Sequence, residues 1–354
     1  MNRPTISLLT TTACLAAAFG ATGGAKAADR LVPAQYGTIQ AAVAASQNGD
    51  RILVSPGTYA GPILVSAKSL TIEGIPGVAG QLPVLDGGGQ SRILRIADAS
   101  CTIRLLRFRN GNATNETPRD GGGILATGPG SLQVQRCIFE GCIASTSATL
   151  QGGGGAIHVS STSATVSESE FRGNRAFRGA SLFGVRQIFR CQFEGSAFDT
   201  GGQVFVSGGS PIVVRQTYLS DAVLYVVNAN AHASDLWQCG SSLVSFEVSG
   251  QLIDEGGNIQ VDECDCDADG LPDARILATG EGDSDGDGVL DACECAADLF
   301  ADGVVNGADL GILLAYWGPT TSSPASQRCD IVRDGFVDGL DLGYLLARWG
   351  PCKG

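Results

Sequence analysis

The sequence predicts a mainly β protein: a right-handed parallel β-helix followed by a small, partly α-helical calcium module. Three observations predict it. A block of Val or Ile, then Cys or Ser three residues on, then Phe two further recurs through the first two thirds of the chain. Glycine, 50 residues in all, clusters between these blocks without a collagen period. Near the C-terminus one loop-plus-helix unit is written twice, offset by 32 residues.

Residues 1–27 read as an export signal. Arg3 gives a short positive start, residues 6–19 are mostly apolar and small, and Ala25-Lys26-Ala27 is an A-x-A cleavage site. The mature chain is expected to begin at Ala28. A membrane anchor is the other reading, but the apolar run is short for a span, and no later stretch reaches transmembrane length. The protein is therefore expected to be exported: periplasmic, surface-bound or extracellular. Residues 37–45 read as a short amphipathic helix, and residues 50–59 as strand and turn.

The β-helix is assigned to residues 28–261. Val134-Gln-Arg136-Cys137-Ile-Phe139-Glu140-Gly141 aligns without gaps to Val166-Ser-Glu168-Ser169-Glu-Phe171-Arg172-Gly173 and to Ile188-Phe-Arg190-Cys191-Gln-Phe193-Glu194-Gly195. A fourth block ends on Phe108, and weaker relatives run through Tyr218 and Trp237. Short-strand repeats of this size imply a solenoid. The step from three residues to two marks a corner between strands. Gly or Asn two residues past the Phe suits a second corner with positive φ. Two columns then alternate in charge along the stack: Arg136, Glu168, Arg190, and Arg109, Glu140, Arg172, Glu194. Opposite charges on neighbouring strands contribute roughly 0.2–1 kcal/mol each. A solvated face with accidental alternation is the bland alternative.

The opening helix, strand and turn resemble the start of pectate-lyase-like β-helix proteins, where such a helix covers the first coil. The Gly-Gly-Ala-Ile157 and Phe171-Arg-Gly-Asn174 pieces resemble repeats of polymorphic outer-membrane-type surface proteins. The likeness covers about residues 30–260.

Charge separates the tail from the rest. From Asp262 onward there are 19 acids and 5 bases, a net of −14, against +1 before it. So acidic a chain argues against nucleic acid as a partner. A like-charged tail can be disordered, but here the acids sit at calcium-ligand spacing. Asp283, Asp285, Asp287, Val289 (through its carbonyl), Asp291 and Glu294 satisfy a full EF-hand loop, with Gly288 at the turn. Asp265, Asp267, Asp269 and Asp273 repeat the pattern, but Ile276 takes the twelfth position. Residues 262–296 resemble thrombospondin type-3 calcium repeats.

The duplicated unit, residues 297–354, offers Asp298, Asp302, Val304, Asn306 and Asp309, then Asp330, Asp334, Phe336, Asp338 and Asp341. These are loop positions 1, 5, 7, 9 and 12, with Gly303 and Gly335 at position 6. The arrangement resembles a type I dockerin. That likeness implies calcium as cofactor and a cohesin-like protein as partner. Position 3 is Phe300 or Val332 instead of an oxygen ligand, so each site is expected to bind calcium more weakly. Positions 10 and 11, which contact cohesin in that family, are Gly307-Ala308 and Gly339-Leu340. Leu313, Leu314, Trp317 and their partners Leu345, Leu346 and Trp349 are expected in the module's core.

Of 12 cysteines, Cys14 leaves with the signal. The odd remainder leaves at least one free thiol. Cys329 and Cys352 bracket the second unit and are the favoured disulfide. Zinc is a rival for the Cys-x-Cys pairs, disfavoured by the surrounding hard carboxylates.

Catalytic residues are not assigned. There is no Asp-Asp dipeptide, no Gly-His-Gly and no Arg-x-Lys, and the lysines are Lys26, Lys68 and Lys353. His158 and His232 read as wall residues. Glu168 and Glu170 could mimic a glycosidase pair, although a charge ladder explains Glu168 more simply. Asp120 and the preceding loop could form a rim. The expected function is binding at a surface, with polysaccharide as partner. The alternative is a polysaccharide lyase or glycoside hydrolase on the same fold.

Overall fold

The computed structural model describes residues 27–147, 149–150, 152–194, 202–207, 210–239, 242–247, 249–261, 276–277, 296–300, 304–321, 323–332 and 334–351. Short parallel strands stack in chain order, an architecture compatible with a parallel β-helix. One face is an eight-stranded sheet running from Ile63–Ser66 to Leu243–Glu247. A 17-stranded sheet makes the other two faces, bent along a line of corners. Long strands such as Ile212–Ser220 cross that bend and pair with two strands of the previous coil.

The corners explain the repeat. Arg136, Glu168 and Arg190 adopt φ of 52°, 51° and 51°, the left-handed region that turns the chain between its two strands. The next corner falls where expected, at Asn110, Gly141 and Gly173, with φ of 54°, 58° and 56°. Between them the inward set is as the spacing predicts: Val134, Cys137 and Phe139 are fully buried, as are their counterparts Val166 and Phe171. Phe108, Phe139 and Phe171 pair in strict register, and Phe171 pairs Phe193. Their rings stack at 4.7, 5.1 and 4.8 Å. That spacing is the distance between neighbouring strands. Ser169, which replaces a Cys, is buried without penalty because its hydroxyl donates to Ser167 O (2.8 Å) and accepts from Cys137 N (3.1 Å).

One expectation of register fails. The Phe column continues through Leu219 and Gln238, not through Tyr218 and Trp237. Those two aromatic residues lie one position earlier in their strands, and a one-residue step moves a side chain to the opposite face. They point outward.

The glycine clusters are points of close backbone approach. A Cβ on Gly122 would lie 2.4 Å from Ile143 O, and one on Gly111 2.2 Å from Gly122 O. Both contacts are far inside van der Waals distance.

The helix Ile39–Ala45 (α1) buries Ile39, Ala42 and Val43 against the first coils. Thr38 Oγ1 accepts from Ala41 N at its start, and Lys68 Nζ donates to the carbonyls of Val43 and Ala44 at its end.

The first charge column forms as expected. Glu168 accepts from Arg136 at 2.7 Å and Arg190 at 2.5 Å. The second forms only in part. Arg109 binds Asp86 and Arg172 reaches Glu194 at 3.3 Å, but Glu140 is taken by Arg107, on the diagonal, at 2.6 Å. Glu168→Arg is expected to lower stability by about 1 kcal/mol, the scale of two exposed ion pairs. Adding Arg136→Glu and Arg190→Glu should restore most of it. A denaturant-based mutant cycle reads the coupling, and zero coupling would mean these side chains do not interact. The Arg136 and Arg190 hydrogen bonds hold the Glu168 carboxyl below its ordinary value. Its contribution is therefore present above the unfolded pKa and fades as pH falls through the lowered one.

In the duplicated unit three helices follow: Gly307–Ala315 (α2), Pro324–Cys329 (α3) and Gly339–Ala347 (α4). The two copies are locked reciprocally. Val304-Val305 of the first loop pairs with Gly350-Pro351 behind α4, and Phe336-Val337 of the second loop pairs with Gly318-Pro319 behind α2. This exchange gives the repeated Trp-Gly-Pro a structural role. Leu313 and Leu345 are buried as expected, but Leu314, Trp317, Leu346 and Trp349 are about half exposed. Leu314 follows Leu313 by one residue, a 100° turn of the helix away from the inner face, and Trp317 lies beyond the helix end. Cys329 is a buried free thiol, not a disulfide partner.

Candidate functional site

Two regions carry chemistry: an outer groove across the bend of the long sheet, and the paired acidic loops.

The groove follows from the register of the strands. Residues 170, 192, 218 and 237 lie side by side on successive strands and face outward. Glu170, Gln192, Tyr218 and Trp237 thus form one wall, and the corner residues Glu168 and Arg190 form the lip. The enclosed volume is about 450 Å³. Across the lip a second hollow of about 520 Å³ is lined by Thr165, Phe189, Arg215, Ser234 and Asp235, among others. Arg190 and Gln216 border both. Tyr218 Oη sits 2.9 Å from Cys239 Sγ, a disulfide-bonded sulfur. Trp237 lies partly exposed, with its indole N–H shielded and without a hydrogen-bond partner among the described residues. It therefore offers a ring face, not a donor.

The Glu168 and Glu170 pair is not arranged as a glycosidase acid and base. Glu168 is clamped by two arginines and Glu170 by Arg172 at 2.5 Å. A general acid needs a raised pKa, and the Glu168 carboxyl moves the other way. The same direction holds for Asp29, Asp50, Asp86 and Glu255, each of which accepts hydrogen bonds from Arg, His or backbone N–H.

His158 is less isolated than its sequence neighbourhood implies. It lies on the outer side of the eight-stranded sheet, stacked on Phe183 at 4.6 Å, with Asp120 at 3.7 Å. Asp120 accepts from Gly153 N at 2.7 Å, and His158 Nδ1 is 3.2 Å from Gly153 O. Burial pushes the imidazole pKa down. A buried, neutral ring tied to backbone is a wall residue. Arg92 beside it spends its guanidinium on the carbonyls of Pro118, Asp120 and Gly121 and so pins the loop before the sheet. His232 is paired with Glu255 at 3.0 Å. The buried thiols are inert: burial raises Cys101 to about 11 and Cys137, Cys142 and Cys191 to about 12.

The calcium candidates divide by position. Asp265, Asp267, Asp269, Asp273, Asp283, Asp285, Asp287, Val289, Asp291, Glu294 and Asp302 lie outside the described residues. In the duplicated unit Asp309 accepts from Phe300 N (2.8 Å) and Asn306 N (2.7 Å). Asp341 accepts from Val332 N (3.0 Å) and Asp338 N (2.8 Å). Both are fully buried. Asp309 also meets the Asp298 carboxylate; burial opposes its charge, but the backbone donors hold its pKa down. Asp330 accepts from Asp334 N and Gly335 N, and Asp334 from Phe336 N. Asn306 and Asp338 cap α2 and α4. Val304 and Phe336 lie in the paired loop strands. Among the described residues no three Asp, Glu, His or Cys side chains converge as a metal site. In the first loop Asp298 and Asp309 come together as a pair. Buried charge needs a counter-charge, and a hard cation suits two abutting carboxylates, so positions 1 and 12 of the first loop fit calcium.

No family model, no curated protein and no solved structure matches the chain. Among the described residues no helix is long and apolar enough to cross a membrane.

Proposed function

We propose that this chain is an exported, calcium-stabilised, right-handed parallel β-helix protein that binds polysaccharide or another surface partner without catalysing a reaction. The observation that carries the reading is the state of the groove carboxylates: ion-paired, with the corner one held below its ordinary pKa, beside an outward-facing Trp. Such a surface offers hydrogen bonds and a stacking face. It offers no acid poised to protonate a leaving group.

In the duplicated unit, calcium would neutralise the carboxylates of Asp298, Asp309, Asp330 and Asp341, which otherwise repel one another. The half-exposed Trp317, Trp349, Leu314 and Leu346 favour a protein-binding role for this unit. A cohesin-like protein is the partner that the dockerin likeness implies.

A panel of polysaccharides assayed for both binding and product release tests the function. The expected result is retention of at least one polymer with no new reducing ends and no unsaturated uronate. Accumulation of either product overturns the non-catalytic reading and favours the lyase or hydrolase. Glu168, Glu170 and Asp120 then become the first positions to mutate.

A further inference from the structure

We infer that the groove around Trp237 is a binding site for an uncharged polysaccharide, one whose sugar rings carry neither carboxylate nor sulfate. The inference rests on the polysaccharide-binding reading above and narrows it to a place and a chemistry.

Three features carry it. The first is shape. The two hollows meet at Arg190 and Gln216 and run from the coil of Glu168 to that of Asp235. That is three strand spacings, about 14 Å, room for a short run of sugars, not a single one. The second is the wall. Trp237 stands outward and partly exposed next to the amide of Gln192, backed on the adjacent strand by Tyr218, which is itself buried. An aromatic face beside amides is what a pyranose needs, since the ring has apolar C–H faces and equatorial hydroxyls.

The third is charge. A polyanion would have to be met by arginine or lysine with a free fork. Here Arg190 is held by Glu168 at 2.5 Å and Arg215 by Glu255 at 2.9 Å. Glu170 and Asp235 add negative charge to the lining. The site therefore repels uronates and sulfated glycans and leaves neutral ones. The eight-stranded face lacks this combination. Its aromatic ladder, His158, Phe183, Phe205 and Tyr225, includes two buried rings, and Arg178 already lies 5.3 Å over Phe205.

The test uses residues 28–354 of the chain. Neutral polymers (cellulose, xylan, mannan, dextran) are compared with pectate, alginate and a sulfated glycan by affinity electrophoresis. The proposal expects binding to at least one neutral polymer, with Trp237→Ala weakening it tenfold or more. Gln192→Ala, a change outside the core, should weaken it severalfold and so controls for misfolding, together with an unchanged thermal unfolding curve. Val78→Ala, at a solvent-facing position away from the groove, should leave it within twofold. Preference for the charged polymers overturns the assignment. If a neutral polymer binds but both groove variants retain wild-type affinity, this site falls while polysaccharide binding stands. If no polymer of either kind is retained, the functional reading fails and this inference with it.

Discussion

Phe171→Ala is expected to cost about 4 kcal/mol, the range for removing a buried aromatic ring from a packed core. Phe171 is fully buried between Phe139 and Phe193, with ring planes within 7° of parallel on either side. Its neighbours are held by strand pairing on both sides, so the cavity cannot close by collapse of one coil without breaking ladder hydrogen bonds. Phe171→Leu should cost much less, because most of the volume stays. Thermal unfolding reads both: a drop of roughly 10 °C for Ala in a domain of this size. A loss below about 1 kcal/mol would show that the ring is not part of a continuous stack. In a solenoid each coil touches only its neighbours, so hydrogen exchange should rise first in the strands 138–140 and 192–194.

The Phe stack was legible because its chemistry repeats without interruption: the same ring, three residues after a corner, in four successive coils. The corners at Asn110, Gly141 and Gly173 were legible for a similar reason, since few residue types tolerate positive φ. The other corner, at Arg136, Glu168 and Arg190, was legible as the step from three residues to two and as a column of charge, but not in its backbone conformation. Nothing in an Arg or Glu announces a left-handed backbone. The coil geometry imposes it, and the ion pairs that run along the column accompany it.

The groove was missed because aromaticity was taken as the mark of the inward position. In the last coils the inward residue is Leu219 and then Gln238, and the aromatic residue has moved one step outward. The signal that could have found this is the corner spacing. Counting three residues from Gln216 and Asp235, both with positive φ, lands on Leu219 and Gln238. The second charge column failed on reach: arginine is long enough to leave its directly opposite partner for a diagonal one, as Arg107 does with Glu140. The half-exposed Trp317 and Trp349 were misplaced because large apolar residues at regular spacing usually mean core. Here the reciprocal pairing of each Gly-Pro with the other loop holds the unit together with a smaller set of buried residues.

Chelation of the protein is expected to abolish the helical signal of α2 and α4, and returning calcium to restore it. The argument begins with the fully buried Asp309 and Asp341. Each accepts from two backbone N–H groups; those donors hold the Asp309 pKa down against its burial, and Asp309 also abuts Asp298. Two N–H donors hold one carboxylate in place, but they do not compensate two adjacent charges taken out of water. A bound cation would, and because the proposed ligands are brought near one another only in the folded unit, its binding free energy would become folding free energy. At a calcium concentration a hundredfold above the dissociation constant the gain is about 2.7 kcal/mol per site, a large share of what a unit this small can supply. Asp341→Ala removes the buried position-12 carboxylate proposed as a ligand in the second loop and should eliminate about half of the calcium response. It should also loosen α4, since the Asp341 side chain completes the capping box at that helix start. Asp334→Ala changes an exposed position of the same loop and should weaken calcium binding while leaving the cap intact. Far-ultraviolet circular dichroism and the fluorescence of Trp317 and Trp349, recorded with EDTA and with calcium, distinguish these cases. Identical spectra and identical unfolding temperatures in the two conditions would show that the paired carboxylates are stabilised without metal.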